Sequence, residues 1–351
     1  MSTSHDGPRY TLMGSRIVEK RIGATIARAA GLVANEFHPR EYRALVLLGG
    51  YGRGEGGVHW ESGVERPHNN IDFLLVTTYW GAMRKAAFKR RLDEVLAPIV
   101  AAEEIGIDTG VISAIELQHA PGRVIWFDLR WGHRTILGDA AFIPALSTLT
   151  AADIEIDDVY NLLVNRASLL VINDAIVDRG IASDDDIRFI IKHLMKSIIG
   201  HGDAFLFTRG RYHASYLEKQ RRMRELSNSA PDLAELYEMA SAFRFAPDYA
   251  RYMRNGLLAD LGKMREVLAR IYYEFERFRA ELMKAEVETR GALVFRAKPL
   301  SFDVMRRHRP RSVLAMALPG VLYGTNDEQR RCAQRILGAR SCTPSDIRKA
   351  Y

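Results

Sequence analysis

The chain has 351 residues, 47% of them hydrophobic and 26% charged, a balance that supports a buried core and excludes a wholly disordered or fibrous chain. The net charge of +7 is confined to the end: residues 298–351 carry 11 Lys and Arg against 4 Asp and Glu, whereas residues 1–297 carry 39 of each. That distribution disfavours a broad polynucleotide track and reads the tail, with Arg306, Arg307, Arg309 and Arg311, first as a solvated basic surface.

No apolar run approaches the roughly 20 residues of a membrane span, and the N-terminus lacks the basic-then-apolar plan of a signal peptide. A cytoplasmic protein without a membrane partner is expected. Cys332 and Cys342 lie close together with no CxxC or HxxxH spacing beside them, so neither a framework of disulfides nor zinc is expected.

In chain order, Val18, Ile22, Ile26, Ala29 and Val33 recur at spacings of three and four and predict a helix over 15–36. The short run ALVLLGG, 44–50, predicts a buried strand entering a tight turn, and a loop rich in glycine and charge follows over 51–69. IDFLLVTTY, 71–79, has strand composition, with a helix expected over 81–104. VISAIELQ, 111–118, and RVIWFDLRW, 123–131, flank a Pro121-Gly122 turn and predict a hairpin, with Trp126 and Trp131 packing the sheet against a helix. Further on the pattern predicts helices over 153–174, 184–208, 213–228, 232–243 and 257–289; acidic starts at Asp153 and at 183–186 support two of them. The fold class expected is thus an α/β (α+β) domain with a mixed sheet over 1–145, an all-α domain over 146–297 and a basic segment over 298–351.

The most informative stretch is LLGGYGRGEGG, 47–57, followed by NNIDFLLV, 69–76. Glycines allow backbone amides to approach an anion, yet no Lys-Ser or Lys-Thr completes a Walker A loop, and GxGxxG fails at Glu55. Leu48-Gly49-Gly50, then Asn70-Ile71-Asp72-Phe73 on the next strand, resembles the motif of nucleotidyltransferases of the polymerase-beta superfamily, in particular the bacterial branch that includes aminoglycoside nucleotidyltransferases. The resemblance spans about residues 40–225. It implies a strand ending in two glycines, a second strand bearing acid-x-acid and a third acid on a later strand, for which Asp128 is the expected match.

What the resemblance implies is transfer of a nucleoside monophosphate from a nucleoside triphosphate, with magnesium or manganese, onto a hydroxyl or phosphate of an acceptor: a small sugar, a protein side chain or an RNA end. Strand-borne carboxylates at Asp72 and Asp128 would hold metal because alternate residues share a face and negative charge builds on both ends of the displacement. Gly49 and Gly50 would hold the triphosphate. Asn70 stands where the first acid is expected and removes one negative charge from the site, so Glu55, in a loop that also carries Glu61 and Glu65, is the expected substitute ligand. Arg53 would clamp a phosphate, and Lys192 and Lys196, one helical turn apart, would steady the outer phosphates.

Bland readings stand beside these. Asp72 and Asp128 could each pair with an arginine, Lys192 and Lys196 could be solvated, and Tyr212 and Tyr216 could be core residues rather than a stacking surface. His201 and His213 receive no role. Two other functions stay open: a nucleotide-binding pseudoenzyme left by the loss of an acid at Asn70, and nucleic-acid binding through the basic tail.

Overall fold

The computed structural model describes residues 9–289 other than 62, 79–83, 104, 147–148 and 255–259, and in the tail 317–318, 321–323, 327–337, 339–341, 343 and 347. The chain is mixed α/β, with a four-stranded mixed sheet in its N-terminal part and a mostly helical remainder. It forms two compact units: residues up to Glu155 together with His213–Lys219 and Ala242–Asp248, and the rest.

In the first unit, helix α1 (Arg16–Glu36) follows an N-cap at Ser15, whose hydroxyl accepts from the Val18 amide, and buries the expected stripe. Strand β1 (Tyr42–Leu47) runs antiparallel to β4 (Ile71–Thr77) and to β6 (Arg134–Gly138), and β4 runs parallel to β5 (Ile107–Ser113), giving the order β5-β4-β1-β6. Alternation along the strands decides both faces. Leu45, Leu47, Ile71, Phe73 and Leu75 pack with α1 and with α3 (Lys85–Glu103), while Ala44, Val46, Leu74, Val76 and Ile112 pack with Leu117, Leu129 and Phe142.

The glycine-rich loop is structured. It holds a short helix α2 (Gly49–Arg53), ended by left-handed Gly54, and a separate hairpin of β2 (Val58–Glu61) and β3 (Val64–Pro67). Glu65 of that hairpin accepts from the Ser15 amide at 3.1 Å, and Glu61 lies 3.5 Å from Arg66.

Of the hairpin expected over 111–131 only Val111–Ser113 is strand, the end of β5; the rest holds two helices, α4 (Ala114–Gln118) and α5 (Val124–Trp131). Ser113 and Glu116 form a capping box that ends the strand and starts α4. In α5, Val124, Phe127 and Leu129 are buried while Ile125 and Trp131 are exposed. Trp126 packs against the sheet as expected, whereas Trp131 donates its indole N–H to the Leu149 carbonyl at 3.1 Å.

The second unit is built on α6 (Ile156–Asp178) packed on α7 (Asp184–Thr208), with α11 (Leu261–Thr289) also on α7. Ser183 caps α7 through the Asp186 amide at 3.2 Å. Buried His201 is a core residue, bonded to the Ser197 carbonyl and the Tyr323 hydroxyl at 2.8 Å each; burial lowers its pKa to about 4 and keeps it neutral. Helices α8 (Tyr216–Glu225), α9 (Pro231–Phe245) and α10 (Tyr249–Arg254) lie between α7 and α11 in the chain. Arg306, Arg307, Arg309, Arg311, Cys342 and the side chain of Cys332 lie outside the described residues. Among the described residues no helix is long and apolar enough to cross a membrane.

Candidate active site

Asp72 stands one step into β4, on the face that carries Leu74 and Val76 further along. Its partner in the parallel ladder is Asp108 of β5, so the two carboxylates project side by side from adjacent strands. Burial and the charge of Asp108 push the Asp72 pKa up to about 6, partly offset by Arg244 and Arg53. Asn70, two residues before Asp72, donates from Nδ2 to Asp108 Oδ2 at 3.0 Å. Strand β1 ends beside this pair: the Leu48 amide donates to the Asp72 carbonyl at 2.8 Å, and Gly49 follows with φ +65°. A Cβ at Gly49 would lie 2.2 Å from Asp72 Oδ2, so the carboxylate rests directly against glycine backbone. Gly50 is buried in α2 and takes the Glu55 amide on its carbonyl at 2.8 Å.

Three sequence expectations change here. Asp128 lies on helix α5, not on a strand, and the acid that stands beside Asp72 is Asp108. The run holding Asp128 is short and apolar, a pattern that periodicity cannot divide between strand and helix. Glu55 is turned to structural work. It is 5% exposed, ion-paired to Arg53 at 3.3 Å, and it accepts from Ser215 Oγ at 2.5 Å and from the Tyr216 and Leu217 amides at 3.0 and 3.4 Å. It therefore caps the start of α8 in place of serving as a substitute ligand. Lys192 and Lys196 belong to α7 of the second unit, and the cations gathered inside the first unit are others.

Those cations are Arg53, Lys219 and Arg244. Arg244 lies 4.0 Å from the Tyr216 ring centre, Lys219 Nζ 4.4 Å and Arg53 5.3 Å. All four side chains fall in the first unit, because the short segments 213–219 and 242–248 pack there. Local sequence carries no signal for Lys219 or Arg244, which lie far along the chain from the glycine turn. Asp108 does have a signal, since the alternation of Ile107-Asp108-Thr109 opens the first strand after α3.

Beside Asn70 opens a cleft of about 310 Å³, lined by Arg21, His59, Glu61, Arg66, Asn70 and Glu103 among others. Arg21 pairs with Glu103 at 3.2 Å and Arg66 with Glu61 at 3.5 Å, so this polar cleft is balanced in charge. Among the described residues no group of three or more His, Cys, Asp and Glu converges as a metal cluster. Asp72 and Asp108, with the Asn70 amide, are the residues suited to a hard divalent cation, which takes oxygen ligands and keeps waters of its own. A half-buried carboxylate beside a second, exposed one, its pKa raised by burial and then by its neighbour's charge, is a donor set that fits a cation, and the residues present fit magnesium on that ground.

Replacing Glu55 by alanine is expected to lower the free energy of unfolding in urea by about 3 kcal/mol, because a buried ion pair and a helix cap go together. Magnesium affinity should stay within about twofold in calorimetry; a tenfold loss of metal with unchanged stability would make Glu55 a ligand after all.

No family model matches the chain, and no curated protein shows significant sequence similarity to it.

Proposed function

We propose that the protein transfers a nucleoside monophosphate from a nucleoside triphosphate to an acceptor, on a nucleotidyltransferase fold of the polymerase-beta type. The observation that carries this reading is the adjacency of Asp72 and Asp108 on parallel strands, with the Gly49 backbone against the Asp72 carboxylate. A half-buried acid beside a second acid calls for positive charge, which Arg53 and Arg244 supply in part and a metal ion would complete.

Asp72 and Asp108 hold the metal, and Asn70 orients Asp108 through its amide. Magnesium, when bound, neutralises charge that builds on the α-phosphate and on the departing pyrophosphate. Asp108 is exposed, and it takes the proton of the incoming hydroxyl as the new P–O bond forms and the bond to pyrophosphate breaks. The charge-balanced cleft next to Asn70 seats the acceptor; its volume suits one small polar unit, such as a sugar or a terminal nucleotide.

A second reading, nucleotide binding without transfer, is favoured by one observation: the position of the first acid holds an amide that spends its N–H on Asp108. Calorimetric titration of the four nucleoside triphosphates, with and without magnesium, on the wild type and Asp108→Ala tests both, together with a pyrophosphate-release assay. Transfer predicts magnesium-dependent binding that weakens at least about tenfold in Asp108→Ala, and pyrophosphate release once an acceptor is present. Binding indifferent to metal and to Asp108 refutes it; tight metal-dependent binding with no pyrophosphate released across sugar, protein and RNA acceptors supports the second reading.

A further inference from the structure

We propose that the α6–α7 layer of the second unit is an interface for a second copy of this chain, which packs there antiparallel, α7 against α7. The pairing does not depend on the chemistry of the first unit.

An apolar patch marks the surface. Phe189 of α7 is 54% exposed, and Ile172 and Leu162 of α6 are 47% and 39% exposed. Scattered singly such residues mean little, but a joined patch marks a contact surface. His193 joins this one. Its Nδ1 lies 2.9 Å from Oδ1 of Asn173, next to Ile172, and its ring centre lies 6.2 Å from that of Phe189. Asn173 also donates to the Ile190 carbonyl at 3.0 Å, which sets Ile172 level with the first half of α7. Leu162, Asn165, Leu169 and Ile172 follow one another at spacings of three and four, so they form one row along α6. That row carries no charge, whereas a helix face turned to water is ordinarily polar and charged. The charged residues nearby are engaged elsewhere: the stem of Arg166 lies against Gly200 of α7, and Asp174 is paired with Arg265.

On α7 the outward row is Asp185, Phe189, Lys192 and Lys196, with Lys192 half-exposed and the others exposed. Spacings of four, three and four are the rhythm of a seam along which one helix meets another. Both lysines lie on the His193 side, since their charges, after burial, are what lowers its pKa. The row is its own complement. Reversed about its middle, it sets Asp185 opposite Lys196 and Phe189 opposite Lys192. Two copies related by a twofold axis there make two ion pairs and two contacts of an ammonium with an aromatic ring, and Ile172 comes near the axis on either side. A parallel pairing in register would instead set Asp185 on Asp185 and each lysine on itself, so charge selects the antiparallel sense. The size also fits. Helices of 23 and 25 residues are about 35 Å long and, side by side, about 20 Å across, so their shared face offers roughly 700 Å², close to the roughly 800 Å² per partner of a stable interface.

The test is sedimentation velocity of the full chain between about 1 and about 50 µM, for the wild type, Phe189→Asp, Asp185→Lys and Lys196→Glu. The wild type is expected to form a dimer with a Kd of about 10 µM or tighter. Phe189→Asp should weaken it at least about tenfold, and so should each charge reversal, which brings like charges together at both ends of the contact. Mixed in equal amounts, Asp185→Lys and Lys196→Glu should pair again with nearly wild-type strength, because each supplies the charge that the other has lost. All three positions are exposed, and thermal midpoints close to that of the wild type show that the variants fold. Should Asp185→Lys fail to fold, Phe189→Asp and Lys196→Glu carry the test. A wild type that stays monomeric at about 50 µM overturns the proposal, as does a dimer indifferent to the substitutions, which would use another face. Two folded charge variants that remain monomeric when mixed overturn the antiparallel arrangement and with it the proposal.

Discussion

Asp72→Asn is expected to abolish magnesium binding and lower transfer by about a thousandfold or more, and at the same time to make the protein more stable at neutral pH. The gain follows from the direction of the pKa. An aspartate of ordinary pKa 3.8 is held at about 6 in the folded chain, a difference equivalent to about 3 kcal/mol. Below pH 3.8 the carboxyl is protonated in both states and contributes nothing against folding. Between there and about 6 the unfolded chain ionises first, so stability falls as pH rises, and above 6 the whole penalty is present. Asparagine keeps the neutral form at every pH. Its advantage should therefore amount to about 2–3 kcal/mol at pH 7.5 and vanish near pH 3.5, as measured by urea denaturation across that range. Magnesium should raise the melting temperature of the wild type and leave that of Asp72→Asn where it is. A variant less stable than wild type at pH 7.5 would mean that Asp72 is a structural ion-pair partner of Arg53 or Arg244, and the metal reading would lose its foundation.

The second large effect is expected at Gly49. Alanine there must adopt φ +65°, which costs about 1 kcal/mol, and must also displace a carboxylate oxygen that its Cβ would approach to 2.2 Å. The carboxylate is the softer of the two, so it yields and Asp72 swings away from Asp108. Transfer should fall about a hundredfold or more, since a displacement near 1 Å is enough for that. Gly63→Ala supplies the control, because φ is +79° and nothing lies within 4 Å of the added carbon. Both variants should lose about 1 kcal/mol to backbone strain, but only Gly49→Ala should lose magnesium affinity and activity. Equal activity in the two would detach the glycine turn from the chemistry.

How far the sequence discloses this molecule depends on the range of the signal. Helix α1 is legible because its stripe of Val18, Ile22, Ile26, Ala29 and Val33 is contained within one helix length. β1 and β4 were legible as buried apolar runs closed by turn residues, and Asp72 between Ile71 and Phe73 was conspicuous as a charge in an apolar strand. The segment 123–131 is ambiguous in sequence because nine residues of mostly apolar side chains satisfy either period, and burial of Val124, Phe127 and Leu129, which depends on the rest of the fold, decides for helix. Asp108 is hidden in sequence because its strand begins earlier and more polar than the run VISAIELQ suggests, and because the Ser113–Glu116 capping box turns the second half of that run into helix. Glu55 and the cations around Tyr216 could not have been read locally at all. Their roles arise from pairing the glycine loop with residues more than 150 positions later in the chain.

That long separation has a consequence for how the protein is made. The sheet, its two flanking helices and the Asp72–Asp108 pair are complete once the first 155 residues have left the ribosome, whereas Lys219 and Arg244 do not yet exist. At bacterial or eukaryotic synthesis speeds the remaining stretch to residue 248 takes roughly 5–20 s, far longer than a small sheet needs to form. For that interval the nascent chain holds its acids and Arg53 without Lys219 and Arg244, and Glu55 waits for the helix start it will cap. Synthesis of the site is thus ordered in time by the direction of translation, the two acids and Arg53 first, Lys219 and Arg244 last.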